Sequence, residues 1–163
     1  LTLDQRYPAI IGEACRAIES LFAGIHVCRN QRPGCIAVAA THAAWPHAFP
    51  QDGPGRKHNR IIKLEDWQRD LSACYPRPLI RGLIHSDGSR VINRFSTRLP
   101  SGRVGNYAYV RYFFTNYSAD IRRIFCDHCE LLGICWTQSS FKNISISHSD
   151  SVAILDQFVG PKA

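Results

Sequence analysis

At 163 residues, with 45% hydrophobic and 20% charged side chains, the chain is long enough to bury a sizeable core as one compact domain or two small ones. Twenty Lys and Arg against thirteen Asp and Glu give a net charge of +7, while no run of 18 apolar residues and no signal peptide is found, so neither a membrane protein nor a secreted disulfide framework is expected. The seven cysteines, at 15, 28, 35, 74, 126, 129 and 135, are odd in number and fit a reduced, cytoplasmic setting. The chain has no Met and starts on Leu1, so part of the natural N-terminus is expected to precede it.

"YPAIIGEACRAIESLFAG" carries Ile10, Ile11, Ala14, Ala17, Ile18 and Leu21 at helical spacing, with Gly24 as a stop. Two short strands, "IHVCR" and "CIAVAAT", follow on either side of "NQRPG", whose Pro-Gly pair reads as a hairpin turn. A helical turn at 44–48 ends near Pro50, and "PQDGPGRKHNR" has the Gly, Pro and charge content of a linker. "LEDWQRDLSACY" reads as a helix, separated by Pro76 and Pro78 from a new helix over 79–85.

Past Gly88, "SRVINRFSTRLP" and "NYAYVRYFFTN" read as two strands joined by "SGRVG". In the first, Arg90, Arg94 and Arg98 share one face and Val91, Phe95 and Leu99 the other. Residues 81–111 hold six arginines and one acid, contributing +5 of the +7. Such a local field suits an anionic partner, and the lack of an accompanying amphipathic Lys/Arg helix puts nucleic acid ahead of a membrane surface. A hairpin with an arginine face and an apolar face needs helices on one side and can offer the other to phosphate.

Residues 114–162 then run helix, strand, turn, strand, short helix and Gly-Pro, an order that residues 3–57 also follow. An internal duplication with an incomplete first copy is therefore expected. The domain reading is a partial first repeat over 1–50, a linker and helix over 51–78, and a complete second unit over 79–163.

"IRGLIHSDG", Ile80 to Gly88, with the basic hairpin after it and the repeat around it, resembles the motif and core unit of the LAGLIDADG homing endonucleases. The resemblance implies an α+β fold of αββαββα units, in tandem with the first incomplete, each with a four-stranded antiparallel sheet that forms half a saddle over double-stranded DNA. It implies that Asp87 is the catalytic and metal-ligating acid, binding Mg2+ (or Mn2+) at the scissile phosphate. Carboxylate oxygen is a suitable hard ligand for such an ion. His85 stands where the family commonly has an acid. Gly82 would let a neighbouring motif helix pack closely along the pseudo-twofold axis, at a propensity cost of about 1 kcal/mol relative to Ala. No helix ending in Asp-Gly occurs in residues 1–78, so the second acid is expected from the missing N-terminal half or from a homodimer partner. Non-catalytic DNA-binding or transcription-regulatory proteins share this fold and form the alternative. Association with the nucleoid would follow from either reading.

On the groove side the expected contacts are Arg90, Arg94, Arg98 and Arg111, which suit phosphate or guanine edges. Lys142 in "SSFKN" is expected at backbone phosphate. Asn143, Ser145 and Ser147 alternate with Ile144, Ile146 and His148, which puts the three polar groups on the DNA face. "CDHCELLGIC" lacks the second Cys/His pair of a zinc finger, and its spacing of three on a helix fits buried cysteines. No nucleophile elbow, Walker loop or dinucleotide fingerprint is present.

Overall fold

A computed structural model describes residues 1–160 and 162, without the Lys57 side chain. Pro161, of the closing Gly-Pro pair, lies outside the described residues. The chain divides after Pro54 into two compact units, one of Leu1–Pro54 together with Lys162 and one running from Gly55 to Gly160, so the break falls inside the Gly- and Pro-rich linker.

The first unit contains β1 (Thr2–Asp4), α1 (Pro8–Leu21), β2 (Val27–Arg32), β3 (Cys35–Ala40) and the short α2 (Trp45–Ala48). Pro8 opens α1 at its first position, where no backbone donor is needed. Ile11 and Cys15, four apart on one helix face, pack against Val38, with Leu3, Ile18, Val27 and Ile36 around them. Pro33 and Gly34 form the whole hairpin loop between β2 and β3, whose ladder closes at Arg32 and Cys35. Gly34 has φ +74, a conformation a side chain disfavours. The hairpin therefore begins two residues later than the expected "IHVCR". β1 was not expected: it pairs antiparallel with β3, giving the order β1-β3-β2.

In the second unit, α3 (Asp66–Cys74) begins with a reciprocal Glu65–Gln68 capping box. It is followed by α4 (Pro76–Asp87), β4 (Gly88–Arg98), β5 (Val104–Thr115), α5 (Ala119–Leu131), β6 (Thr137–Gln138), β7 (Asn143–Ile146) and α6 (Ser149–Asp156). The four strands form one antiparallel sheet in the order β4-β5-β7-β6. Ile80 and Ile84 of α4, Phe125, Cys126 and Cys129 of α5, and Val152 and Leu155 of α6 bury against Tyr112, Phe114, Ile144 and Ile146 of the sheet. All four sheet residues lie on one face, because Tyr112 pairs with Ile146 and Phe114 with Ile144. From α4 onward the element order is helix, strand, strand, helix, strand, strand, helix. The first unit's strand order β1-β3-β2 has the same connectivity as β5-β7-β6, with α1 and α5 in matching places. The described fold is mixed α+β, with two antiparallel sheets and six α-helices.

Candidate nucleic-acid interface

α4 passes into β4 with no intervening loop, Asp87 ending the helix and Gly88 starting the strand. Gly88 has φ −111, outside the left-handed region that favours glycine. It is needed for space: a Cβ there would lie 2.7 Å from the Phe113 carbonyl oxygen and 2.8 Å from Ile84 Cα, both backbone. This close approach sets the end of α4 against β5.

Asp87 is exposed at the helix C-terminus. That end carries the negative pole of the helix dipole, so an acid there costs about 0.3–1 kcal/mol rather than capping the helix. A buried neighbour offsets this. The Asn116 amide nitrogen donates to Asp87 Oδ2 at 3.0 Å, and Asn116 is only 4% exposed. The amide orientation is fixed because Asn116 Oδ1 accepts from the Ser118 backbone N–H at 2.9 Å, leaving the donor toward Asp87. Asn116 is further held by its own N–H to the Lys142 carbonyl at 2.9 Å and by Arg122 Nη1 donating to its carbonyl at 2.7 Å. Sequence reading missed Asn116; "TNYS" marked only the end of a strand. His85, half-buried on the same helix, has its Nε2 3.4 Å from the Val159 carbonyl oxygen.

The register redraws the expected groove face. Arg90 pairs with buried Tyr112, Arg94 with Ala108 and Arg98 with Val104, so the arginine row lies on the face that carries the helices. Arg90 is engaged there: its Nε and Nη2 donate to the two Asp156 oxygens at 2.8 and 2.9 Å, and the Tyr112 hydroxyl donates to Asp156 Oδ1 at 2.6 Å. The Arg90 hydrogen bonds hold the Asp156 carboxyl below its ordinary range. Burial first, and then Asp156, push the Tyr112 phenol well above its ordinary value. Arg90 thus ties α6 to the sheet and is removed from the groove contacts. Arg94 and Arg98 lie farther along the hairpin, exposed, with no ion pair among the described residues.

The opposite, helix-free face carries Val91, Asn93 and Phe95 of β4, Tyr107, Tyr109, Arg111 and Phe113 of β5, and Asn143 and Ser145 of β7. Arg111 is therefore across the sheet from the other three arginines. Its Nη2 donates to the Tyr109 hydroxyl at 2.6 Å, and that oxygen also accepts from Asn93 Nδ2 at 2.8 Å. The Arg111 guanidinium lies over the Tyr109 and Phe113 rings at 5.1 and 5.8 Å, while its buried Nε has no partner. A half-buried guanidinium without a carboxylate is a natural point for an anion.

Asn143 and Ser145 stand on this face as expected, with Ile144 and Ile146 in the core. Ser145 is 6% exposed and so is largely closed to contact. Ser147 is exposed but lies just past the end of β7. Lys142 donates from Nζ to the Tyr117 hydroxyl at 3.0 Å and sits over the Tyr117 ring at 4.8 Å. Gly82 is exposed, and no atom lies within 4 Å of where its Cβ would be. The close helix approach expected there has no counterpart among the described residues.

Cys126 and Cys129 are buried, and burial pushes the Cys126 thiol up to about 11 and the Cys129 thiol higher still. Both side chains pack in the core of the second unit, as their spacing of three on a helix predicts. Among the described residues no group of three or more His, Cys, Asp or Glu is placed to hold a metal ion. The site offers one oriented carboxylate, which fits Mg2+ only in the manner of ions bound by one or two carboxylates together with phosphate oxygens. No helix among the described residues is long and apolar enough to cross a membrane. No protein-family model matches the chain, and no curated protein matches it.

Proposed function

We propose that the chain is a double-stranded DNA-binding protein built of LAGLIDADG homing-endonuclease-like units, with metal-dependent phosphodiester hydrolysis once a second acid joins Asp87. The observation that carries this reading is the loop-free passage from α4 into β4, which sets an Asn116-oriented carboxylate at the root of a sheet with one helix-free face. The shared connectivity of β1-β3-β2 and β5-β7-β6 supports the tandem arrangement. Asp87 would hold the hard divalent ion, which when bound supplies phosphate polarisation and a more acidic water. Arg111 presents charge on the helix-free face, and Arg94, Arg98 and Lys142 are cations for flanking phosphates. The exposed helix row containing Gly82 is where a motif helix from a homodimer partner or a preceding segment would pack and bring the second acid.

The test is binding and cleavage of duplex DNA by the wild-type chain and by Asp87→Asn, with Mg2+ or Mn2+ and with EDTA as control. The expected result is salt-dependent duplex binding by both proteins and, where a homodimer partner or a preceding segment supplies the second acid, metal-dependent cleavage by the wild type alone. Cleavage by the variant at the wild-type rate would remove Asp87 from the reaction. Specific binding without cleavage, from a protein carrying both acids, would favour the non-catalytic regulator.

A further inference from the structure

The helix α3 buries none of its residues. Trp67 and Leu71 are four apart on it, and the Tyr75 backbone N–H donates to the Leu71 carbonyl at 3.1 Å, so Tyr75 continues the same row. These side chains remain 50%, 53% and 60% exposed in chain order. On the other side of the helix Arg69, Ser72 and Ala73 line a cavity of about 500 Å³. A helix with an apolar row and no buried residue lacks the surface against which such a row packs. The charges along the row are segregated. Glu65, Asp66 and Asp70 stand toward its N-terminal end, and Arg77, in the first turn of α4, at its C-terminal end. Asp66 pairs with Arg69 of its own helix, whereas Asp70 and Arg77 have no ion pair among the described residues.

The acids beside the row repel a nucleic acid or an anionic lipid surface, which leaves protein as its occupant. Aromatic side chains flanked by charge are also the usual make-up of a protein interface. A row that is acidic at one end and basic at the other is complementary to itself turned end for end, which is the condition for a two-fold contact between identical chains. We infer that α3 is the interface between two copies of this chain, packed antiparallel about a two-fold axis at Leu71. Counting outward from that axis, Leu71 meets the partner's Leu71, Trp67 meets the partner's Tyr75, and Arg77 stands opposite the partner's Glu65. A parallel pairing would instead set Asp66 and Asp70 against the same acids of the second copy, which is repulsive. The row is small beside the roughly 800 Å² that each partner buries in a stable complex, so the dimer is reversible and depends on concentration. The inference does not rest on the nucleic-acid reading, and its test contains no DNA, so either can fail alone.

The experiment is sedimentation velocity of the full chain across a concentration series. Wild type should pass from monomer to dimer as concentration rises. Leu71→Asp puts two like charges against each other on the axis and should weaken the dimer at least about 30-fold, the effect of losing an interface hot spot. Leu71 is already half exposed, so the variant should fold, and far-UV circular dichroism checks that it does. Arg77→Glu should weaken the dimer about 2- to 30-fold, because each of two symmetry-related exposed ion pairs contributes modestly. Adding Asp66→Arg to Arg77→Glu should recover part of that loss. Val104→Asp, at an equally exposed apolar residue on the β4–β5 hairpin, should dimerise like wild type. A wild-type chain that stays monomeric at every concentration would overturn the inference. So would a Leu71→Asp chain that dimerises as strongly as wild type, or a Val104→Asp chain that loses the dimer to the same extent as Leu71→Asp.

Discussion

Removing Arg90 separates a structural arginine from a groove-contacting one. Its fork donates two charge-assisted hydrogen bonds to Asp156, at 2.8 and 2.9 Å, from side chains 22% and 35% exposed. Fully exposed pairs contribute about 0.2–1 kcal/mol, and breaking fully buried ones costs about 3–5 kcal/mol. At this intermediate exposure, water partly re-solvates the carboxylate that Arg90→Ala leaves behind, and Tyr112 still donates to it. A loss of about 2 kcal/mol follows, equivalent to a fall in Tm of about 10 °C for a unit of roughly 100 residues. Asp156→Asn should cost a similar amount, and the double variant should show a coupling of about 1–2 kcal/mol between the two sites. The pH dependence has a definite sign. Because the Asp156 pKa is lowered from 3.8 in the fold, the stabilisation is present above that value and lost as pH falls through the depressed folded value. The gap between wild type and Asp156→Asn should therefore close in acid. Urea unfolding followed by circular dichroism across pH measures all of this. An Arg90→Ala protein as stable as wild type but weaker on duplex DNA would refute the assignment and return Arg90 to the groove.

Gly88→Ala should destabilise by about 1–3 kcal/mol, since the added methyl meets backbone at 2.7 and 2.8 Å. Gly82→Ala meets open space and should stabilise the isolated chain by up to about 1 kcal/mol; a loss of self-association in sedimentation would instead reveal a helix packed there. Tyr112 keeps its proton in the fold beyond the ordinary phenol value of 10.0, so stability should fall as pH rises above that value, and Tyr112→Phe should lessen the fall in an alkaline unfolding series. Thiol titration at neutral pH should modify the exposed Cys28, Cys74 and Cys135 before unfolding, and the buried Cys126 and Cys129 only after it.

The elements that could be read from the sequence were those with strong local signals. The switch to alternation after Gly88 marked the junction of α4 and β4, and Pro33-Gly34 marked the first hairpin, whereas α4 begins at Pro76, three residues before the helix expected over 79–85. β1 carries only three residues and is held by pairing with β3, a long-range cause that no local pattern announces. The face of the sheet was a harder problem. Period two correctly grouped Arg90, Arg94 and Arg98, and correctly separated Asn143 and Ser145 from Ile144 and Ile146. Which group on β4 shares a face with which group on β7 depends on register through β5, and register is not a property of either strand alone. Arg90 opposite Tyr112, and Tyr112 opposite Ile146, put the arginine row on the core side. An arginine can sit on that side where a carboxylate meets it, as Asp156 meets Arg90, or where the hairpin extends past the helices, as at the exposed Arg94 and Arg98. The same register moves Asn93, Tyr109 and Arg111 to the helix-free face with Ser145, while Asp87, at the end of α4, sits beside an asparagine 29 positions away in sequence. The acid at the helix end was visible in the motif, but the residue that aims it was not, because Asn116 reaches Asp87 only after β4 and β5 have folded back on each other.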